Sequence, residues 1–254
     1  MEKSNTIGLV LSGGGYRGLA HIGVLKAMEE LGIKPNYISG TSAGAIVGSL
    51  YAAGYSWQDI FDFFTKTELF SLSNYTILKP GLIDGTKFEN TLKTYLEADS
   101  FESLKIPMYI ATTDLLDGKT HFFHKGNIIK PIIASSSVPG VFAPVSYKEL
   151  FLCDGGVTNN FPIEPLQVYC DKIIGVYLNS LVETSTEGLK STKSVLERAY
   201  RISRVNASEG KFKDCHVFIA PKDLGNYEVF SKKHIQEIFE MGYQEAKLKL
   251  KEEF

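Results

Sequence analysis

Residues 7–11, Ile-Gly-Leu-Val-Leu, form a short apolar run that three glycines, Gly13 to Gly15, bring to a stop. The pattern predicts a buried strand followed at once by a tight turn. From Leu19 the apolar positions Ile22, Leu25, Met28 and Leu31 recur at helical spacing, and Gly32 with Pro35 close the segment. The same pattern then repeats. Tyr37 and Ile38 lead into Gly40-Thr41-Ser42-Ala43-Gly44, after which Ala45, Ile46, Val47, Leu50 and Tyr51 predict a second helix ended by Gly54. Two strand–helix units in tandem imply a parallel sheet. Residues 106–112, 121–123, 150–153, 172–177 and 215–219 read as further strands, with helical patterns between several of them, so a mixed α/β sheet is expected. In residues 233–251, Ile235, Ile238, Phe239, Gly242 and Ala246 share one face among charged neighbours, which predicts a closing amphipathic helix. The Ser-, Thr-, Glu- and Lys-rich stretch 183–193 is the one candidate linker, and it would set a C-terminal helical appendage apart from the core.

Composition narrows the function classes. A chain of 254 residues that is 44% hydrophobic folds around a substantial core, and one catalytic-sized domain is the default. With 27 Lys plus Arg against 29 Asp plus Glu, the formal charge is −2. No broad basic field exists to hold a polyphosphate, so nucleic acid is excluded as a partner and any anionic ligand must be gripped locally. Cys153, Cys170 and Cys215 are odd in number and contain no CxxC pair, which suggests neither a disulfide framework nor a zinc site. They read as plain buried thiols; Cys153, beside Asp154, has an oxidant-sensing reading as well. The chain enters a strand pattern without a basic n-region or a long apolar segment, so a cytoplasmic location is expected. Its apolar runs are shorter than the ~20 residues a membrane-spanning helix needs, which limits membrane contact to the periphery.

Three motifs carry chemistry. Gly13-Gly14-Gly15-Tyr16-Arg17-Gly18 fits GxGxxG between strand and helix, the dinucleotide fingerprint. The acid that would hold a ribose is missing, because the second strand runs Asn36-Tyr37-Ile38-Ser39 into a glycine, and no Gly-Lys-Ser/Thr completes a phosphate loop. What survives is a loop whose backbone N–H groups can stabilise a developing negative charge, or one that needs glycine only for its turn. Gly40-Thr41-Ser42-Ala43-Gly44 fits GxSxG, in which Gly40 and Gly44 permit the strained turn that presents a serine hydroxyl. Such a hydroxyl needs a base within hydrogen-bond reach. The five histidines, His21, His121, His124, His216 and His234, fall on helices or strands, and none has the loop setting of a base. Asp154-Gly155-Gly156 delivers a carboxylate from an apolar strand to a flexible turn, where it serves either as that base or as an ordinary Asp-Gly turn.

Together, in this order, these three motifs resemble the patatin-like phospholipase family over residues 7–176. Secondary echoes lie at Ala20-His21-Ile22-Gly23-Val24-Leu25, Ala111-Thr112-Thr113-Asp114-Leu115, residues 134–142 and Asn159-Asn160-Phe161-Pro162. The resemblance implies a three-layer α/β/α fold with a mixed, largely parallel sheet. Residues 1–180 would form the catalytic domain; the resemblance says nothing beyond residue 176, and 181–254 are expected as a helical and strand extension packed on that domain. It further implies a Ser-Asp dyad without histidine: Ser42 attacks an acyl ester and Asp154 takes its proton and later activates water. Gly14 and Gly15 would cradle the oxyanion with their backbone N–H groups, in a loop that includes Gly13, Arg17 and Gly18. Each such donor is worth ~3–4 kcal/mol where one has been removed.

The substrate class implied is the fatty-acyl ester of a lipid, with no metal or other cofactor. Arg17 either orients the glycine loop, meets a lipid phosphate, or is a solvated first-turn charge. Ile60, Phe61, Phe63, Phe64, Leu69, Phe70 and Leu72 form either a lid or acyl-chain wall, or ordinary core. Arg198, Arg201 and Arg204, at i, i+3 and i+6 and followed by Lys211 and Lys213, face anionic headgroups or plain solvent. Three rival functions stand beside hydrolysis by a dyad: a triad using His216 or His234, acyl transfer from the same acyl-enzyme, and lipid binding by a vestigial site. Oligomeric state, headgroup and chain length are not written in these motifs.

Overall fold

The computed structural model describes residues 6–67 and 86–254. Its strands are β1 (Ile7–Leu11), β2 (Tyr37–Thr41), β3 (Met108–Asp114), β4 (Thr120–Phe123), β5 (Val145–Tyr147), β6 (Leu150–Asp154), β7 (Lys172–Val176) and β8 (Val217–Ile219). The helices are α1 (Leu19–Glu30), α2 (Ala43–Ala53), α3 (Trp57–Lys66), α4 (Thr86–Tyr95), α5 (Ile129–Ser135), α6 (Glu164–Gln167), α7 (Thr192–Glu209) and α8 (Ile235–Glu253). The two tandem strand–helix units thus fold as the periodicity predicts. Strand β5 has no counterpart in the pattern, because three residues, Val-Ser-Tyr, are too few to alternate visibly and depend on their pairing with β6.

All eight strands belong to one mixed sheet. β1 lies between β2 and β7, with β8 beyond β7 and β3 beyond β2, all parallel. β4 and β6 are antiparallel to β3. Ile110 and Ala111 of β3 pair with β2 on one side and β4 on the other, while Thr112 and Thr113 pair with β4 and β6. A strand residue has only two edges, so β2 and β6 lie end to end along the same edge of β3. Their tips meet where Thr41 pairs with Ala111 and Asp154 with Thr112.

Side-chain alternation divides the sheet's two faces. Leu9, Leu11, Ile174 and Val176 join the larger core with Leu25 of α1, Ile46 of α2, Phe63 of α3, Ile132 of α5 and Phe239 of α8. Val10 and Ile173 join the smaller core with Phe161, Ile163 and Leu166, closed by Val205 and Phe212. Helices therefore cover both faces, giving three layers. Helix α2 is buried from Ala43 to Leu50 on every side, and so shows no amphipathic stripe. Within the stretch expected as a linker, a 3₁₀ turn at Thr186–Leu189 leads into α7. Beyond it, β8 extends the sheet at β7, and Ile238, Phe239, Ala246 and Leu250 of α8 enter the larger core. Ile60, Phe63 and Phe64 are likewise core residues of α3, which decides against a lid for them; Leu69, Phe70 and Leu72 lie outside the described residues.

Candidate active site

Ser42 follows the last residue of β2 and caps α2, with φ 53° and ψ −118°, a backbone conformation that a side chain rarely adopts. Two neighbours hold it there. The Ser42 N–H donates to Ser135 Oγ at 2.9 Å, and Ser135 Oγ donates to the Ala111 carbonyl at 2.7 Å. The turn also needs Gly44, since a Cβ at that position would overlap the Leu11 carbonyl oxygen. α2 can thus start directly against β1, with its N-terminal end at the serine.

Asp154 ends β6 and is fully buried. Its Oδ1 accepts the Gly156 N–H at 2.7 Å and Arg204 Nη2 at 3.3 Å. Its Oδ2 is buried and accepts no hydrogen bond. The Ser42 hydroxyl stands close enough to draw the carboxyl's pKa down without completing a bond of good geometry. Burial pushes that pKa up, opposed by the Arg204 charge, then the Gly156 N–H, then Ser42. The backbone around the aspartate is tied as firmly: its N–H donates to the Ser137 carbonyl at 2.9 Å and its carbonyl accepts Thr113 Oγ1 at 3.0 Å.

The glycine loop comes alongside. A Cβ on Gly13 would stand 3.2 Å from Ser42 Cβ and 2.6 Å from Asn160 Oδ1, so the loop backbone lies directly against the serine. The Gly13 N–H donates to the Asn160 carbonyl at 3.3 Å. Among the described residues, the N–H groups of Gly14 and Gly15 donate to no other group of the protein, and Gly15 takes φ +58°. Gly18 packs against Ala43 and Phe64, where α1 approaches α2.

Arg17 corrects two of the sequence readings. It is neither solvated nor presented to a lipid phosphate: it is fully buried, with Nε donating to the Tyr227 carbonyl at 2.9 Å, Nη2 to the same oxygen, and Nη1 to the Leu178 carbonyl at 3.5 Å. Its role is to tie the glycine loop to two distant segments. Burial and then the nearby Arg201 bring its pKa down to about 9, still charged at neutral pH. The arginine stripe of α7 is corrected in the same sense. Arg198 donates to the Val182 carbonyl, Arg201 to the Gly225 carbonyl, and Arg204 to Asp154 and Gly156. A run read as facing headgroups or solvent instead braces the protein, and its third member reaches the site.

The histidines point elsewhere. His21 is fully buried with Nε2 2.8 Å from the Ser12 carbonyl, and burial holds its pKa down to about 4. His216 lies 3.6 Å from Glu253, His234 3.1 Å from Glu237, and His121 3.6 Å from Asp117, while His124 stacks on Tyr109. The Cys153 thiol is buried and pushed up to about 12 by desolvation and then by Asp154, so it is no reactive thiolate. Among the described residues no helix is long and apolar enough to cross a membrane.

The sequence gives no role to Ser135, which lies in the echo at residues 134–142 and supports the serine's backbone, and its arginine stripe does not predict that Arg204 touches the aspartate. A signal for the second existed. Tyr200, Arg204 and Ser208 recur every four residues on α7, and Arg204 and Ser208 are buried, whereas Val195, Leu196 and Ile202 of the same helix are exposed. A helix with polar residues turned inward reports a polar site beneath it.

The model of the patatin-like phospholipase family matches residues 9–166. An uncharacterized NTE family protein of Mycobacterium bovis is 36% identical over 187 residues, which cover 70% of this chain and 50% of the relative. Lysophospholipase NTE1 of Cryptococcus neoformans var. neoformans is 28% identical over 283 residues, covering 96% of this chain and 17% of the relative. The chain therefore spans half or less of the length of these relatives. Among solved structures, VipD from Legionella pneumophila superposes with a TM-score of 0.63 at 15% identity, over 98% of this chain and 67% of that one, a likeness of fold.

Proposed function

Because the chain belongs to the patatin-like phospholipase family, we propose that it is a serine acyl hydrolase in which Ser42 is the nucleophile and Asp154 the base. The observation that carries the reading is Asp154 Oδ2, a buried carboxylate oxygen without a hydrogen bond, beside the hydroxyl of a strained serine. A lone buried acceptor is costly unless something uses it, and the proton of an attacking hydroxyl is what this one can take.

The reaction follows from the positions. Ser42 Oγ attacks the ester carbonyl carbon while its proton passes to Asp154 Oδ2, and the tetrahedral oxyanion lies at the free N–H groups of Gly14 and Gly15. Collapse of the intermediate breaks the ester C–O bond, and the departing alcohol takes the proton back from Asp154. Water then attacks the acyl-Ser42 carbonyl, with Asp154 again accepting a proton, and the fatty acid leaves with Ser42 restored. The substrate class is a fatty-acyl ester of a lipid, in line with the family's name and with the lysophospholipase among the relatives. Resolution of the acyl-enzyme by an acceptor alcohol in place of water would make the same site an acyltransferase, and product analysis with and without added acceptor separates the two.

The experiment is intact-protein mass after exposure to a fluorophosphonate, together with hydrolysis of p-nitrophenyl butyrate, on the wild type, Ser42→Ala and Asp154→Asn, each checked for folding. One adduct is expected on the wild type and none on Ser42→Ala, with Asp154→Asn slowed ~10²–10⁴-fold, the range of general-base contributions. Labelling of Ser42→Ala, or unimpaired turnover by Asp154→Asn, overturns the assignment. Lipid binding by a wild type that neither labels nor turns over supports a binding protein instead.

A further inference from the structure

The packed face of α7 buries two polar residues, Arg204 and Ser208, beside Val205, where a helix packed on a protein is ordinarily apolar. Leu196 is 64% exposed while Arg204, on the same helix, is 9% exposed. The guanidinium is held by four contacts: Nε donates to the Gly156 carbonyl at 3.1 Å, Nη2 to Tyr200 Oη at 2.8 Å and to Asp154 Oδ1 at 3.3 Å, and the group lies 4.1 Å over the Tyr200 ring. Gly156 leaves the room for this, since a Cβ there would stand 2.5 Å from Arg204 Nη2. A planar, five-donor fork held on both sides has little freedom to turn. We infer that Arg204 is a positioning residue for the reaction, fixing Asp154 by its Oδ1 so that Oδ2 alone remains free toward Ser42.

The inference rests on Asp154 acting as the base to Ser42, and deepens that reading. Oδ1 is occupied twice, by the Gly156 N–H and by Arg204, whereas Oδ2 has nothing. Arg204 also opposes the burial that raises the pKa of this carboxyl. The groups facing Asp154 are Arg204 and Tyr200 from α7, Cys153 from β6, Ser42 from the tip of β2 and the Gly156 N–H. Arg17, Arg201 and Glu197 form a second rank behind Arg204. Of the groups that lower the Asp154 pKa against its burial, Arg204 acts most strongly. Removing that charge raises the folded-state pKa. The base must be deprotonated to work, so the acid limb of kcat/KM moves to higher pH.

The test is the pH profile of kcat/KM for p-nitrophenyl butyrate from pH 5 to 9.5 on the wild type, Arg204→Gln, Arg204→Lys and Tyr200→Phe, with thermal melts on each. For Arg204→Gln the acid limb is expected to rise by at least about one unit, so that at pH values below both limbs the loss is roughly tenfold greater than on the plateau. Arg204→Lys keeps the charge, and its limb should stay near that of the wild type while kcat falls. In an Asp154→Asn background, Arg204→Gln should cost less than about twofold more, because a residue acting through Asp154 has nothing left to act on. A pH-independent loss in Arg204→Gln, or full additivity with Asp154→Asn, overturns the inference and leaves Arg204 a purely structural residue. If Arg204→Gln does not fold, unchanged kcat in both Arg204→Lys and Tyr200→Phe overturns it equally. Wild-type turnover by Asp154→Asn alone would instead sink the Ser-Asp reading, whatever Arg204 does.

Discussion

Replacing Ser42 by Gly and by Ala separates the chemistry of the side chain from the conformation of its backbone. Both substitutions remove the hydroxyl, and both keep the Ser42 N–H to Ser135 Oγ bond. Only glycine adopts φ 53°, ψ −118° without steric cost, because it is the mirror image of an ordinary extended conformation. A side-chain-bearing residue held in such a region costs of order 1–3 kcal/mol. Against this, glycine gives the unfolded chain more freedom, worth ~0.4–1 kcal/mol. The difference leaves Ser42→Gly more stable than Ser42→Ala by about 0.5–2 kcal/mol, where an unstrained site would give the opposite sign. For a chain of this length each kcal/mol moves Tm by about 2–4 °C. Urea unfolding at pH 7, with equal m-values as the control, reads the difference directly. Both variants should be inactive. A Gly variant as stable as the Ala variant, or less stable, would mean that no strain is stored at the elbow and that Ser42 is not held in the observed conformation.

Four other outcomes follow from named contacts. Arg17→Met strips the Tyr227 and Leu178 carbonyls of their donor and should lower the urea-derived stability by about 2–4 kcal/mol, whereas a headgroup ligand would leave stability unchanged. Gly44→Ala drives a methyl into the Leu11 carbonyl of a central strand, and should cost at least ~2 kcal/mol with loss of ester turnover; a native-like melt would contradict the close approach. His21 is neutral when folded, with a pKa of about 4 against 6.5, so the unfolded chain binds the extra proton: stability is complete above pH 6.5 and falls by up to about 3 kcal/mol as pH drops toward 4, a slope that His21→Gln should lack. His216→Ala and His234→Ala should each retain turnover within about twofold, and a hundredfold loss in a folded variant would restore an imidazole to the mechanism.

The legible part of this protein was whatever is local. Strand β1, the glycine turn, α1, β2 and α2 could be written from residues 7–54, because apolar spacing and glycine punctuation act within a few residues of where they are read. Strand β5 could not, since Val145 to Tyr147 become a strand only by pairing with Leu150 to Leu152. Ser42 and Asp154 were legible as residue types in motifs, but what brings them together was not. That depends on register: β2 runs up one edge of β3 to Ala111 and β6 runs down the same edge to Thr112.

The change from parallel to antiparallel pairing at this point of β3 is what brings Ser42 and Asp154 together without an intervening loop. In a wholly parallel sheet, a second catalytic side chain is brought to the nucleophile by a loop, and its aim depends on that loop. Here Asp154 and Ser42, the proposed base and nucleophile, sit at the facing tips of two strands hydrogen-bonded to consecutive residues of a third, and Ser135 bonds both the Ala111 carbonyl and the Ser42 N–H. What the sheet leaves unfixed is the rotation of the Asp154 carboxyl about its own bond, and the groups that fix it are the Gly156 N–H and Arg204. The arginine was misread for a physical reason. Arginine is ordinarily at the surface, so a stripe of three on a helix reads as its wet face. On α7 Val195, Leu196 and Ile202 are exposed while Arg204 is buried against Asp154, an inversion that residue type alone does not announce.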